Sequence, residues 1–325
     1  MKDLFKGNFA YVKNSKYLWM FAGGLILVCL ILNLILGTSV DVTFKGGTLA
    51  KFAYEGELTE QAVVDYLTKD FSFKALDVQL SEATASGSDK SYTLINIYTT
   101  DELGTDEVTK LSDGLVKTFA DNKITQDSVN SIQSSVGMLF FLKCMVAVAI
   151  AAVVLIIYVG IRFRKIGGWP AGVMAMVALL HDLTIAYFAF VLFRIPLNDN
   201  FVAVVLTILG YSLNGTIVVY DRVRDNRRKL KAPLAEVANV SLNETFRRNL
   251  NTFITTFVAI ATVAVVAFIW NLDAIISFAV PMSVGVVAGF FSSTFLCIPA
   301  WVAWMNKREA KKAAKERAGK KGGKR

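Results

Sequence analysis

The chain has 325 residues, 54% of them hydrophobic, and a net charge of +9, an apolar content that excludes a single water-soluble globule. The charge is split. Residues 37–136 hold 8 Lys+Arg against 16 Asp+Glu, a net of −8, and the remainder carries +17; basic loops beside anionic lipid account for that excess, so no nucleic-acid partner is expected.

Six apolar runs are each long enough to cross a hydrocarbon core of roughly 30 Å: Tyr17–Leu36, Gly137–Ile161, Trp169–Phe193, Phe201–Tyr220, Phe253–Trp270 and Ala274–Met305. The last is too long at about 1.5 Å per residue, which predicts a bend or irregular start at Pro281. Lys2, Lys6, Lys13 and Lys16 precede the first span. Arg162, Arg164 and Lys165 separate the second and third, and Arg222, Arg224, Arg227 and Arg228 follow the fourth. The alternate connections are short and nearly uncharged. The bias of basic residues predicts a multi-pass protein of the cell (cytoplasmic) membrane with both termini, 1–16 and the tail 306–325, in the cytoplasm and 37–136 outside. The tail, rich in Lys, Gly and Ala, reads as disordered or lying on lipid. Cys29, Cys144 and Cys297 all fall inside spans, so no disulfide framework is expected for the outer segment.

That segment reads as a small α+β domain. Strand patterns at Thr48–Tyr54, Leu76–Leu80, Tyr92–Tyr98 and Ile124–Gln133 alternate with helical spacing at Leu58–Lys69 and Asp106–Ala120. The order βαββαβ is that of a ferredoxin-like fold. Residues 83–90 have the composition of a hairpin loop. Ahead of the first strand, Gly46-Gly47 suits either a hinge to the first span or a strand-to-turn junction.

Within the spans, His181-Asp182 lies about 20 Å from the cytoplasmic end of the third, too deep to snorkel. A charge at that depth costs several kcal/mol, so such residues face a bundle interior or a proton path. Asn33 reads as an interhelical hydrogen bond. The fourth span holds Gly210 and Asn214 and runs into Asp221-Arg222-Val-Arg224 at its cytoplasmic edge. Residues 221–250 then form a cytoplasmic segment: Pro233 opens an amphipathic helix with Val237, Val240 and Phe246 on one side and Glu236, Asn239, Asn243 and Glu244 on the other. Arg248, Thr252, Thr255 and Thr262 share one stripe of the fifth span. It reads either as threonines bonding their own i−4 carbonyls or as a water-lined path with Arg248 at its mouth. His181 is the only histidine, which excludes a multi-histidine metal site. No nucleophile, base and oxyanion set is visible, so neither an enzyme nor a cofactor is expected.

The Phe44-x-Gly-Gly-Thr48 approach to the domain, His181-Asp182, Gly210-Tyr-Ser-Leu-Asn214, Ile217-Val-Val-Tyr-Asp-Arg-Val-Arg-Asp-Asn226 and Ser241-Leu-Asn-Glu-Thr-Phe-Arg-Arg-Asn-Leu250 resemble the SecF branch of the SecD/SecF protein-export family. That family is related to the resistance-nodulation-division transporters. The resemblance implies six spans with one outer domain and a SecD-like partner. It further implies action with the SecYEG channel on preprotein substrates, drawing on the proton gradient. It implies as well a span-four aspartate for proton movement and an arginine at the start of span five. The arginine falls on Arg248, but the aspartate position is Gly215, which cannot carry a proton. At the approach motif the usual aspartate is Thr43, with Asp41 two residues earlier. By helical rise Gly215 lies about 8 Å from the cytoplasmic surface and Asp182 about 20 Å, so Asp182 does not simply replace the missing acid: three accounts stay open, a protonatable group on the partner, which is favoured, Asp182 serving from another depth, or coupling without a proton on this subunit. Half of a small-molecule exporter and a non-conducting scaffold for SecD are the alternative functions.

Overall fold

In the computed structural model, residues 9–71, 73, 76–84 and 91–322 are described; Lys2, Lys6 and the hairpin loop at 85–90 lie outside them. Among the described residues, six helices are long and apolar enough to cross a membrane. They are α1 (Tyr11–Leu36), α5 (Ser134–Arg162), α6 (Gly168–Leu192), α7 (Asp199–Lys229), α8 (Leu234–Ile269) and a last span built from α9 (Asp273–Phe291), a π-helical turn (Ser292–Leu296) and α10 (Cys297–Gly322). Between α1 and α5 come a short α2 (Val42–Lys45), β1 (Gly47–Tyr54), α3 (Glu60–Asp70), β2 (Leu76–Thr84), β3 (Ser91–Thr99), α4 (Thr105–Thr118) and β4 (Thr125–Ile132). The chain is thus a multi-pass helical membrane protein with one α+β domain, as its hydropathy and periodicity predict.

The four strands form one antiparallel sheet in the order β2-β3-β1-β4, the ferredoxin-like arrangement. Alternation puts Ala50, Phe52 and Tyr54 of β1 and Ile95 and Ile97 of β3 on one face, against Val63 and Leu67 of α3 and Leu111 and Leu115 of α4. Thr59 caps α3, its hydroxyl accepting from the Ala62 N–H. On the β3 strand, burial pushes the Tyr98 phenol up to about 12, with the Asp41 carboxylate adding to the effect.

Burial sorts the spans. The apolar windows of α6, α7 and the last span are 61%, 50% and 50% buried, against 6–11% for α1, α5 and α8, so the first three form the centre and the others present their apolar sides outward. The central core gathers Phe163, Leu179, Tyr220 and Trp301. Tyr220 stands edge-on to Trp301 at 5.6 Å and donates its hydroxyl to the Ala171 carbonyl at 3.2 Å.

Several boundaries differ from the sequence reading. Helix α1 starts at Tyr11, six residues early, because its first turn is held by α8: Phe9 N–H donates to Asn243 Oδ1 at 3.2 Å and Val12 N–H to Asn239 Oδ1 at 3.1 Å. Those two asparagines, expected on the water-facing side, satisfy orphan amides of a helix start instead. The last span is irregular at Ser292–Leu296 and not at Pro281, which sits inside α9. The basic tail, expected either to be disordered or to lie on lipid, continues α10 to Gly322.

The link between spans and sheet is short and tied down. Asp41 caps α2, its Oδ1 accepting from the Thr43 N–H at 2.9 Å and hydroxyl at 2.6 Å. Gly46 and Gly47 both have positive φ, +79° and +117°. Gly46 ends α2, and a Cβ on Gly47 would strike the Thr99 carbonyl. Of the two readings of this pair, the geometry matches the strand-to-turn junction. On the other side, the loop after α6 pairs with the linker: Leu197 N–H donates to the Ser39 carbonyl and Asp41 N–H to the Leu197 carbonyl, each at 3.0 Å. This is an isolated parallel bridge at Val40–Leu197.

Gly137 of α5 lets α2 lie against it. A Cβ there would sit 3.1 Å from three backbone atoms, Gly46 N, Phe44 O and Thr43 O, none of which can rotate away. Gly137→Val is therefore expected to cost about 1–3 kcal/mol as overpacking and to lower the unfolding midpoint of the full chain in detergent. Gly24→Ala, with nothing within 4 Å, is expected to leave the midpoint unchanged.

Candidate functional site

Asp182 is the focus of the helical core. It is 0% exposed, and three helical segments supply its partners. His181 Nδ1 lies 3.0 Å from Oδ1. Oδ2 accepts from the Ser212 hydroxyl of α7 at 2.5 Å and from the Ser292 hydroxyl of the π-helical turn at 2.7 Å. Gly289 makes room for this approach, since a Cβ there would lie 3.1 Å from Ser212 Cβ. π-Helical turns often mark functional sites. This one directs Ser292 to Asp182 and Ser293 into a neighbouring cleft.

That cleft, about 50 Å³, is lined by Tyr211, Asn214, Gly215, Arg248, Asn249 and Ser293 among others. A Cβ on Gly215 would stand 3.0 Å from Ser293 Oγ and 4.0 Å from Asn249 Nδ2, and Asn249 donates to the Gly215 carbonyl at 3.4 Å. The structure thus brings Asn214, Gly215 and Arg248 together, with Asp182 on the other side of Ser292–Ser293. The depth estimate that separated Gly215 from Asp182 is overturned. Ser212 touches Asp182, and Gly215 is three residues further along α7, about 4.5 Å by helical rise. Helix α7 runs nine residues beyond the apolar stretch, to Lys229, so the end of that stretch is a poor marker of depth.

Other residues singled out in the sequence lie elsewhere. Gly210 is exposed on α7, and a Cβ there would meet nothing within 4 Å, so it packs no helix within this chain. Asp221 accepts from Arg162 at 3.3 Å and forms an ion pair with Arg224 at 2.8 Å, while Arg222 Nε donates to Glu244 Oε2 at 2.6 Å. Asn226 donates to the same Glu244 oxygen at 2.6 Å and to Ser241 Oγ at 3.1 Å. This edge motif is a clamp of α7 on α5 and α8, half-exposed and so worth little per ion pair. Thr252, Thr255 and Thr262 each donate to the carbonyl four residues back, the self-bonding alternative, and only Thr252 lines the cleft. Asn33 accepts from Thr38 at 2.9 Å and, at 3.5 Å, from Tyr187 of α6, the interhelical contact expected of it.

The family model for the protein export membrane protein SecD/SecF, C-terminal, matches residues 112–307. The chain belongs to the SecD/SecF family. Within that family it aligns along nearly its whole length with SecF. It is 29% identical over 316 residues to the protein translocase subunit SecF of Alicyclobacillus acidocaldarius, covering 95% of this chain and 97% of that one. To SecF of Cereibacter sphaeroides it is 31% identical over 279 residues, covering 84% and 82%. Against the protein translocase subunit SecDF of Bacillus subtilis it is 30% identical over 93% of its own length but spans only 39% of that longer chain. The crystal structure of SecDF from Thermus thermophilus, a translocon-associated membrane protein, superposes with a TM-score of 0.75 at 23% identity, over 92% of this chain and 39% of that one; at that identity the likeness concerns the fold.

Ser292 and Ser293 do not stand out in the sequence of this SecF-type chain, and Ser212 and Asn249 do so only as members of longer motifs. Small polar residues inside apolar runs carry no period, and only the rotation of four helices makes them converge. Each serine at Asp182 satisfies one acceptor that lipid cannot, so Ser212→Ala and Ser292→Ala are each expected to lower stability by about 1–3 kcal/mol, read as a drop in thermal midpoint. Gly215→Asp is expected to fold, because the Ser293 hydroxyl is a rotor that can turn from the new Cβ. Gly215→Leu, which must fill the same gap with a branched apolar group, is expected to unfold at a lower temperature.

Proposed function

We propose that this chain is the SecF subunit of the Sec protein-export machinery, working with a SecD-type partner and the SecYEG channel to complete preprotein translocation. It sits in the cell membrane with both termini in the cytoplasm and residues 37–136 outside. The observation that carries the reading is the alignment with SecF over 95% of this chain and 97% of the relative. A SecD-type partner is supported by the SecDF relatives, of whose length this chain covers about two fifths. Orientation rests on the basic connections at one side of the bundle.

In this reading the proton gradient acts through Asp182. Ionised, its Oδ2 draws both the Ser212 and Ser292 hydroxyls toward it; neutral, it needs one fewer donor and itself donates. A change of protonation therefore alters what holds α7 and the π-helical turn against α6. Helix α6 also carries, after its far end, the loop that pairs with Ser39 and Asp41, so a shift of α6 pulls on the linker to the sheet domain. The cleft with Asn214, Gly215 and Arg248 faces the partner and forms half of a two-subunit site. Asn214 and Arg248 are exposed in this chain, as residues awaiting a second subunit would be.

Deletion of the gene is expected to cause accumulation of unprocessed secretory precursors, most strongly in the cold; normal processing would sink the export reading. In vesicles reconstituted with this chain, its SecD-type partner and the channel, Asp182→Asn is expected to abolish the stimulation of export by a proton gradient while leaving gradient-independent export intact. An unchanged gradient response would remove Asp182 from the mechanism. Arg248→Ala is expected to weaken the same response in part.

A further inference from the structure

The last span carries three hydroxyl side chains in a row, Ser292-Ser293-Thr294, and they fall on its π-helical turn. Two of them are employed. Ser292 Oγ donates to Asp182 Oδ2 at 2.7 Å, while Ser293 lines the Gly215 cleft and donates to the Phe290 carbonyl at 3.3 Å. Thr294 is idle. It is 1% exposed, and its hydroxyl is buried with no hydrogen-bond partner among the described residues. Threonines elsewhere in the spans avoid that cost: Thr184, Thr207, Thr252, Thr255 and Thr262 each donate to the carbonyl four residues back. In the wide turn the backbone spacing opens to five, the Cys297 N–H donating to the Ser292 carbonyl, so Thr294 does not sit over the carbonyl four residues before it.

The backbone lets such a turn move. Phe291, Ser292 and Cys297 all keep right-handed helical angles, with φ of −63°, −66° and −60°, so the turn can travel without any residue leaving that region. The Ser292 N–H is already shared between the Ala288 and Gly289 carbonyls. A turn moving toward α9 enters Ala288 and Gly289, which have no side chain beyond Cβ. Phe291, which rotates with it, stands on the wall of an apolar groove of about 390 Å³ and so has space. The helix on either side keeps its register, so each residue that the turn passes takes the place of the one before it. Movement the other way would bring Phe291 to Asp182 and leave the carboxylate short of a donor.

We propose that the π-helical turn is a movable register with two settings. In the second, the turn lies closer to α9, Ser293 donates to Asp182 in place of Ser292, and Thr294 stands in the Gly215 cleft in place of Ser293. The carboxylate keeps both serine donors' worth of bonding in either setting, and Thr294 gains in regular helix the carbonyl bond it lacks. Pro299 makes the first setting the resting one, since in regular helix its ring presses on the Phe295 carbonyl. That pressure is tolerable in this span, where Pro281 lies inside the regular helix α9. The switch rests on the packing around Asp182 and not on the export reading; within that reading it gives the Asp182 site a discrete movement that reaches the cleft.

The test is disulfide formation in the purified full-length chain in nanodiscs, oxidised with copper–phenanthroline and read as linked peptides by mass spectrometry. A Cβ on Gly215 would lie 3.3 Å from Ser293 Cβ, close to the roughly 3.5–4.5 Å of a disulfide, so Gly215→Cys with Ser293→Cys is expected to link fast. Gly215→Cys with Thr294→Cys reports the second setting and is expected to link slowly. Adding Ser292→Ala to that second pair removes the resting donor and is expected to raise its linking rate about fivefold, the worth of one hydrogen bond. Adding Ser293→Ala as well removes the replacement donor and is expected to abolish the gain. A second pair that does not respond to Ser292→Ala would overturn the proposal. A gain that survives Ser293→Ala would show a helix merely loosened and would overturn it too. Thermal midpoints give a check free of cysteines. The drop for Ser292→Ala with Ser293→Ala is expected to exceed the sum of the single drops, because Ser293 covers for Ser292 at Asp182; additive drops would overturn the switch.

Discussion

One carboxylate organises the membrane half of this protein. Asp182 has no exposure, and in a bundle surrounded by lipid there is no solvent to satisfy it, so its acceptors must be met by other helices. Ser212 from α7 and Ser292 from the last span do this, which fixes the rotation of both helices about their axes. Gly289 is small because Ser212 must come in beside it, and the π-helical turn offsets the last span so that one serine faces Asp182 and the next faces the Gly215 cleft. The three most buried spans are the three that touch this group, so the polar contact and the apolar core select the same packing.

Much of this is legible in the sequence. The period-two and period-3.6 patterns of residues 47–132 mark the strands and helices of the sheet domain to within a few residues, because each element buries one face on one core. The six spans follow from length and apolarity alone. Asp182 announces itself as a charge where charge is expensive. Its partners do not, because a serine in an apolar run is compatible with any helix face, and its meaning depends on which helices are neighbours and how far each has slid. The depth of Gly215 is hidden for a related reason. Hydropathy marks where an apolar stretch ends, but α7 continues as a polar helix to Lys229, and register is set by antiparallel packing on α6 through the short connection 193–198. The asparagines at 239 and 243 look solvent-facing because nothing in a helical wheel reveals that the start of another helix, 227 residues away, needs its amides capped.

The place of Gly215 acquires a physical meaning from its neighbours. The cleft keeps an amide, an arginine and a serine around a position with no side chain, and Asp182 lies on a different helix, bonded to Ser212 three residues back along α7. Asp182 keeps its carboxylate among the Ser212 and Ser292 hydroxyls, away from the open side of the cleft. The consequence is a carboxylate sealed by this chain alone, beside a polar recess that a second subunit can enter without meeting a buried negative charge.

Helix α8 has a mechanical consequence. Residues Leu234–Ile269 form one uninterrupted helix, about 54 Å long by rise per residue and so much longer than the roughly 30 Å hydrocarbon layer. Its first turns hold the start of α1 through two asparagines and the end of α7 through Glu244, while its middle borders the Gly215 cleft with Arg248 and Asn249. A rod of that length pivoting by about ten degrees about one end carries the other through about 9 Å. Rigid-body tilt of this single lever would therefore reposition Arg248 and drag the ends of two other spans with it, with no change in any helix's own hydrogen bonds.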